Sequence, residues 1–422
     1  MAELPFRAAL VDLDGTLLHS GALWQEVDRR FFAAHGLDVP ADLDTLTAGR
    51  SFRRCAALVR QRWLPDANEA GIADEWFGLA AEGYAERVPA IPGALQALRR
   101  LKRCGARLEA VTSLPERLYA PCLERLGFSD LLESCFSEWE TGLEKEDGGL
   151  YRFAAEDLGL KSEDIAVFDD EPLPLAGARQ AGMQTWAVRP GGTLEAPGAD
   201  HVLHRWEALL LDAPEPRCVI FTAFCEGDPS RAYAPEPGDL VLCADGGWPL
   251  AMRCGLAPDL VIGDFDSAER PKDLPVQVHP AMKDDTDTML CLREGLRRGF
   301  GRFLLVGGMG GRLDHTLANL QSLCFAAQRG AAAEMADGRT HCWLLAGGGR
   351  LTISRRPGYL SLFSLSDECR GLDIDGAVYE LHDGALTNAF PLGVSNAFRE
   401  EEATVSLKEG LLLVMAEGET GR

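Results

Sequence analysis

Short apolar runs alternate with helical patterns through the first half of the chain. "RAALVDLDG", "ARLEAVTS" and "DIAVFDDEP" each read as a buried strand ending in oxygen-rich polar residues, and "PGALQALRRLKRCG" reads as a helix between them. Strands joined by helices predict an open parallel α/β sheet with ligands at the carboxyl ends of its strands. Residues from about 18 to 90 break this rhythm. They are mostly helical and follow the first strand, as a cap over the strand ends would. "LLLDAPEPRCVIF" carries two prolines, acids and little periodicity, which places a domain boundary near Asp212 to Arg217.

A second α/β series follows in "GDLVLCADGG", "PDLVIGDFDS" and "RFLLVGGMGGRLDH". From about Thr340 the runs turn short and alternating, as in "RLTISRR", "YLSLFSL" and "ATVSLKEGLLLVMAEG", separated by Gly, Asp and Asn. That pattern predicts an antiparallel β module. The expected organisation is therefore three domains: 1–211 with its helical cap, an α/β domain at 218–339, and a β-sandwich at 340–422.

Composition narrows the functions. At 422 residues the chain is too long for one core. No apolar run approaches the roughly 20 residues of a membrane span. The N-terminus shows no basic segment followed by an apolar one, so a cytoplasmic protein is expected. A formal charge of −23 argues against nucleic acid and anionic membranes as partners. It leaves nucleotide substrates open, because a divalent metal reverses the local sign. The 12 cysteines never form a Cys-x-x-Cys pair and lie in apolar contexts, as core thiols in a reducing compartment do.

Two Asp-x-Asp pairs stand at strand ends: Asp12 and Asp14 in "VDLDGTLL", and Asp264 and Asp266 in "VIGDFDS". Like charges so close repel unless a cation lies between them. In the first pair, one carboxylate can attack phosphorus while the other gives and takes a proton. Thr112 and Ser113 end a later strand, Lys145 sits in "GLEKEDGGLY", and Asp169 and Asp170 end "IAVFDDEP". A hydroxyl and an ammonium for phosphate oxygens, with carboxylates for Mg2+, make a phosphoryl-transfer set.

The second pair has different neighbours. "MKDDTDTM" brings Asp284, Asp285 and Asp287, and "GGMGGRLDHTLANL" brings Gly307, Gly308, Gly310, Gly311, Arg312, Asp314, His315 and Asn319. Glycines allow a backbone to approach phosphate closely, and Arg312 can fork onto its oxygens. No GxxxxGK[ST] loop is present. Jointly these pieces indicate a nucleotide–Mg2+ site.

Residues 1–210 resemble the haloacid dehalogenase-like hydrolases through "DLDGT", "VTS", the lysine and "DD". The resemblance implies that Asp12 is the nucleophile, Asp14 the acid/base, and Thr112 and Lys145 phosphate-holding groups. It makes Asp170, with Asp12 and Asp14, metal-binding. Relatives usually carry prolines just after the lysine, whereas "KEDGGLY" supplies acids and glycines, a departure that predicts a looser loop. Residues from about 218 to 422 resemble thiamine pyrophosphokinase through "ADGG", "PDLVIGDFDS", "KDDTD", "GGRLDHTLAN" and "GVSNAF". That resemblance implies an α/β domain and a β-sandwich, a homodimer, and pyrophosphoryl transfer from ATP to thiamine with release of AMP. It assigns metal to Asp264, Asp266 and Asp284, and catalysis to Asp266 and Asp287. Asp245, Gly308, Gly311, Arg312, Asp314 and Asn319 fall on the nucleotide, and Tyr379, Ser395 and Asn396 on thiamine.

The expectation is a bifunctional Mg2+ enzyme, a pyrophosphokinase joined to a phosphatase of small esters. The fusion suggests thiamine monophosphate as the ester. A sugar-phosphate phosphatase or mutase, or one half serving as a sensor or scaffold, stays open.

Overall fold

The computed structural model describes residues 4–189, 198–209, 215–265, 269–280 and 284–418. Asp266 and part of the expected boundary, 212–214, lie outside them. The chain divides into two compact units, Met1–Ala213 and Pro214–Arg422. No helix among the described residues is long and apolar enough to cross a membrane.

The first unit is built on strands β1 (Ala8–Val11), β2 (Arg107–Thr112), β3 (Cys135–Ser137), β4 (Ile165–Asp169), β5 (Gln184–Val188) and β6 (His201–Leu203). Their order is β3-β2-β1-β4-β5-β6, with parallel pairing throughout. The chain reverses its direction across the sheet between β1 and β4, and such a switch point opens a crevice at the carboxyl ends. Strands buried on both faces need continuous apolar runs, and "AALV" is wholly buried. Leu10, Val111 and Val167 pack with Leu150 and Tyr151 on one face. Val11 and Phe168 join the other face, whose cluster runs on into the helical insert through Phe31 and Phe77.

That insert lies between β1 and the helix Ala94–Arg103, and it includes Gly21–Ala34, Phe52–Arg62, Glu69–Glu82 and a π-helical turn, Gly83–Arg87. Leu23, Val27 and Phe31 recur every fourth residue and bury one stripe of the first helix.

The second unit begins with β7 (Cys218–Phe221), β8 (Leu240–Ala244), β9 (Leu260–Gly263), β10 (Val276–Val278), β11 (Arg302–Val306) and β12 (Ala332–Ala336). They pair in parallel in the order β10-β9-β8-β7-β11-β12, which puts a second switch point between β7 and β11. β13 (Thr340–Ala346) then pairs antiparallel with β12. After β14 (Arg350–Ser354) come β15 (Leu360–Ser364), β16 (Glu368–Asp375), β17 (Leu381–Thr387), β18 (Glu402–Ser406) and β19 (Leu411–Glu417). β13, β19 and β15 extend the large sheet, while β14-β18-β16-β17 form a separate one.

Leu345, Leu360, Leu412 and Val414 face Ile353, Leu372, Ile374 and Val405 in a single core. The change of pattern at Thr340 thus marks a reversal of strand direction within one sheet. The sandwich shares that sheet with the α/β part.

Candidate active sites

Asp12 leaves the end of β1, Thr112 ends β2 and Asp169 ends β4, so three neighbouring strands deliver their polar ends to one crevice. Lys145 is buried there and donates from Nζ to Asp12 Oδ1 at 2.7 Å and to Asp169 Oδ2 at 2.8 Å. Burial disfavours the ammonium, but Asp12 and Asp169 outweigh it and lift Lys145 well above the ordinary lysine value. Burial also pushes Asp12 well up, with Lys145 opposing it. Asp170 is pushed to about 7 by burial and then by the charge of Asp169, and it accepts a hydrogen bond from Thr16 Oγ1 at 3.2 Å.

Asp12, Asp169 and Asp170 each bring a carboxylate oxygen within 4.8 Å of the others. One ammonium does not balance three carboxylates, and an all-oxygen set suits a hard divalent cation such as Mg2+. The Asp14 carboxylate, expected in this group, is directed elsewhere. It accepts Tyr84 Oη at 2.6 Å and Trp24 Nε1 at 3.1 Å, both from the insert. Asp169 completes the acid group in its place. Burial raises the Asp14 pKa, with the Tyr84 hydrogen bond holding it down, so the carboxyl is biased toward carrying a proton. Thr112 is buried, and its hydroxyl accepts the Leu114 N–H at 3.1 Å.

The "KEDGG" turn is not slack. Glu138 Oε1 accepts the Lys145 N–H at 2.6 Å. The helix Pro172–Gln180 presses so close that a Cβ on Gly177 would lie 1.9 Å from the Lys145 carbonyl oxygen.

In the second unit Asp245 follows β8, Asp264 follows β9, and Asp287 begins the helix Asp287–Arg297. Their carboxylates again lie within 4.8 Å of one another, a second set of oxygen donors that fits Mg2+. Asp245, expected on the nucleotide, belongs to this group. Asp284, expected on the metal, stands outside it and is exposed, and Asp285 pairs with Arg293 at 3.0 Å. Asp245 (φ 39°) and Phe265 (φ 57°) are non-glycine residues in the left-handed region, a strain that collects at binding sites.

A cavity of about 680 Å³ opens beside these acids, lined also by Thr222, Phe224, Gly308, Gly311 and Arg312. It lies over the carboxyl ends of β7, β8 and β9 at the second switch point. Asn319 is buried and donates from Nδ2 to the Gly308 carbonyl at 3.0 Å, and a Cβ on Gly308 would come within 2.5 Å of that nitrogen. Asn319 therefore shapes the glycine loop. Arg312 is 73 % exposed, and its Nε and Nη2 fork onto Asp314 at 3.2 and 2.6 Å.

On the sandwich, Asn396 is buried and brackets the backbone of Tyr379. Its Oδ1 accepts the Tyr379 N–H at 2.9 Å and its Nδ2 donates to the Tyr379 carbonyl at 2.8 Å. The Tyr379 ring is exposed, and Ser395 sits at φ 62°. Asn396 thereby presents Tyr379.

Sequence reasoning missed Trp24 and Tyr84, whose spacing from Asp14 carries no local signal, and it passed over Asp169 in favour of its neighbour.

Comparison with known families decides what these two crevices belong to. The profile of the haloacid dehalogenase-like hydrolases matches residues 6–182. The profiles of the thiamin pyrophosphokinase catalytic domain and vitamin B1 binding domain match 236–334 and 350–412. A phosphoglycolate phosphatase of Cupriavidus necator is 33 % identical over 218 residues, covering 49 % of this chain and 93 % of its own. The chain is a haloacid dehalogenase-like hydrolase fused to the two thiamine pyrophosphokinase domains. The thiamine pyrophosphokinase of Bacillus subtilis is 26 % identical over 179 residues, 40 % of this chain and 84 % of its own. A solved structure of thiamine pyrophosphokinase from Bacillus subtilis aligns with a TM-score of 0.43 at 22 % identity, covering 49 % of this chain and all of that one. The hydrolase half thus contributes Lys145 between Asp12 and Asp169, and the pyrophosphokinase half contributes the open acid-lined cavity.

Proposed function

We propose that the chain makes thiamine diphosphate from ATP and thiamine in its second half and hydrolyses a small phosphate ester in its first. The observation that carries the first activity is the acid group Asp245, Asp264 and Asp287 beside the glycine loop, within the pyrophosphokinase catalytic domain. ATP lies with its phosphates toward the acids and the Gly308–Arg312 loop; the thiamine hydroxyl attacks the β-phosphorus, its proton passes to solvent, and the bond from the β-phosphorus to the bridging oxygen breaks to release AMP. Asp245, Asp264 and Asp287, together with the expected Asp266, would hold Mg2+, which would supply charge neutralisation at the polyphosphate. Attack on polyphosphate needs mainly positioning and charge neutralisation. Tyr379 offers an exposed ring face to the thiazolium cation. Tyr359, Val378, Phe390, Leu392 and Val394 are exposed apolar side chains of the same unit, which supports a homodimer through it. Twelve free thiols support a cytoplasmic setting.

In the hydrolase half Asp12 attacks phosphorus to form an aspartyl phosphate, and Asp14 gives its proton to the departing oxygen. Asp14 then takes a proton from the water that hydrolyses the intermediate, releasing inorganic phosphate. Lys145 and Thr112 hold phosphate oxygens, and Asp12 and Asp170 would hold Mg2+, which would supply charge neutralisation there. Thiamine monophosphate is the ester the fusion favours, since its hydrolysis supplies the second site with substrate. The 33 % identity to a phosphoglycolate phosphatase favours a second reading, a small acidic ester unrelated to thiamine.

One experiment tests both halves. The full chain receives ATP, thiamine and Mg2+ with AMP read out, and separately a panel including thiamine monophosphate and phosphoglycolate with phosphate read out. Asp266→Asn should lower AMP formation by about 10²-fold or more and spare phosphate release. Asp12→Asn should do the converse. Near-normal AMP formation in Asp266→Asn would sink the pyrophosphokinase assignment.

A further inference from the structure

The acid that stands where relatives carry proline, just after Lys145, has a partner in the insert, and so has the acid just before it. Arg54, in the helix Phe52–Arg62, pairs with Glu144 through Nη2 and with Glu146 through Nη1, the latter at 2.6 Å. Glu144 and Glu146 are the two immediate neighbours of Lys145. Ser51, the N-cap of that helix, donates from Oγ to Glu144 Oε1 at 3.3 Å. Arg53 donates to the Trp139 carbonyl at 2.6 Å and lies 4.7 Å from the centre of the Trp139 ring. One end of a single insert helix therefore grips the segment from Trp139 to Glu146. The next-to-last residue of that segment is the lysine that bridges Asp12 and Asp169.

We propose that Arg54 is a positioning residue of the phosphatase site: by clamping Glu144 and Glu146 it fixes Lys145 between the catalytic acids only while the insert is docked. The inference rests on the phosphatase reading of that site. A planar guanidinium fork fixes two carboxylates more rigidly than an ammonium on a flexible stem does. Prolines would stiffen such a loop permanently. Two acids stiffen it only against a docked insert, so docking and assembly of the charged centre become one event. The Arg54 side chain is 43 % exposed, which makes the clamp sensitive to salt.

The test uses the full chain with Mg2+, p-nitrophenyl phosphate as substrate, and amine acetylation read residue by residue. Lys145 is 5 % exposed and should be protected, and Lys161, with an 80 % exposed side chain, serves as internal control. Arg54→Gln should lower kcat by about tenfold with a smaller change in KM, since it disturbs alignment more than binding. It should also raise Lys145 labelling several-fold relative to Lys161. Arg54→Lys should recover only part of the loss. Glu144→Gln with Glu146→Gln should reproduce the effect, and adding Arg54→Gln to that pair should cost little more. Salt at about 0.5 M should slow the wild type toward the variant and leave the variant unchanged.

A folded Arg54→Gln protein with full kcat and protected Lys145 would overturn the clamp, and so would the same result in the paired glutamate variant should Arg54→Gln not fold. A wild type that hydrolyses no phosphate monoester defeats the phosphatase reading instead, while Lys145 labelling still reports on the clamp.

Discussion

The two halves solve one electrostatic problem in opposite ways. Both gather three aspartates at a switch point of a parallel sheet. In the hydrolase half the acids are buried against an internal cation, Lys145, and the insert covers Asp14. In the pyrophosphokinase half they border a cavity of about 680 Å³. A nucleophile that becomes covalently phosphorylated must be fixed to a fraction of an ångström and kept from bulk water. A site that brings two substrates together must leave room for both, and positioning replaces covalent chemistry. The enclosed centre is thus partly balanced by the fold, through Lys145, while the open one depends on what enters it.

The sharpest way to break this comparison is to remove one acid from each. Asp12→Asn should abolish phosphate release, by about 10³-fold or more, because it removes the attacking atom itself. AMP formation from ATP and thiamine should stay within twofold. Asp264→Asn should lower AMP formation by about 10²-fold, a typical scale for lost electrostatic stabilisation, with phosphate release intact. Loss of both activities in either variant would mean that the sites are not independent.

Next in size is the internal cation. Lys145→Met should destabilise the first unit by about 3 kcal/mol at neutral pH, because it leaves facing carboxylates in a buried site without their ammonium. The loss should shrink on acidification. Asp12 is already raised by burial, and without Lys145 it takes up a proton more readily and sheds the repulsion. Thermal unfolding followed from pH 8 to pH 5 checks this. Equal destabilisation across that range would mean that Lys145 acts by packing alone.

Glu109 offers a buried carboxyl outside the acid group of the crevice. It lies in β2, 1 % exposed, with Arg107 at 3.9 Å. Burial raises it from 4.5 to about 7, with Ser134 and Arg107 only partly opposing. A carboxyl raised in the folded state stabilises below its unfolded pKa, and that contribution is lost as pH rises through the folded one. Glu109→Gln should therefore stabilise the first unit above pH 7, by up to about 3 kcal/mol, and the gain should vanish toward pH 4.5. Melting temperatures at the two ends of that window measure it.

These contrasts were unevenly visible in the sequence. Asp12 and Asp264 announce themselves locally, as acids that follow apolar runs, whereas Lys145 stands between acids and was reached through its place in the family pattern. Strand ends, turns and glycine loops are short-range features, and so is the alternation that predicts one-sided strands. What pairs with what is not short-range. Lys145 meets Asp12 across 133 positions and Tyr84 meets Asp14 across 70, so the insert's aromatic residues carried no signal, and nothing local favoured Asp169 over Asp170. The exchange of Asp284 for Asp245 has the same origin, because the helix start and the neighbouring strand end are brought together only by the sheet. Alternation after Thr340 reported one-sided burial correctly, yet it is silent on sheet membership, and β13 extends the sheet that precedes it.

The smallest expected effect probes how the insert holds Asp14. Tyr84 donates to that carboxylate at 2.6 Å from the π-helical turn that ends the insert, and Trp24 donates both to it and, at 2.9 Å, to the Tyr84 oxygen. Tyr84→Phe removes one donor and leaves Trp24 and the ring packing in place, so kcat for phosphate release should fall only about two- to tenfold. The direction of the pH response is more telling than its size. The Tyr84 hydrogen bond favours the ionised carboxylate, so its loss lets the Asp14 proton persist to higher pH. If that proton goes to the departing oxygen, the alkaline limb of kcat should move upward in Tyr84→Phe while AMP formation stays unchanged. An unmoved limb with a lowered kcat would mean that Tyr84 orients Asp14 without governing its proton.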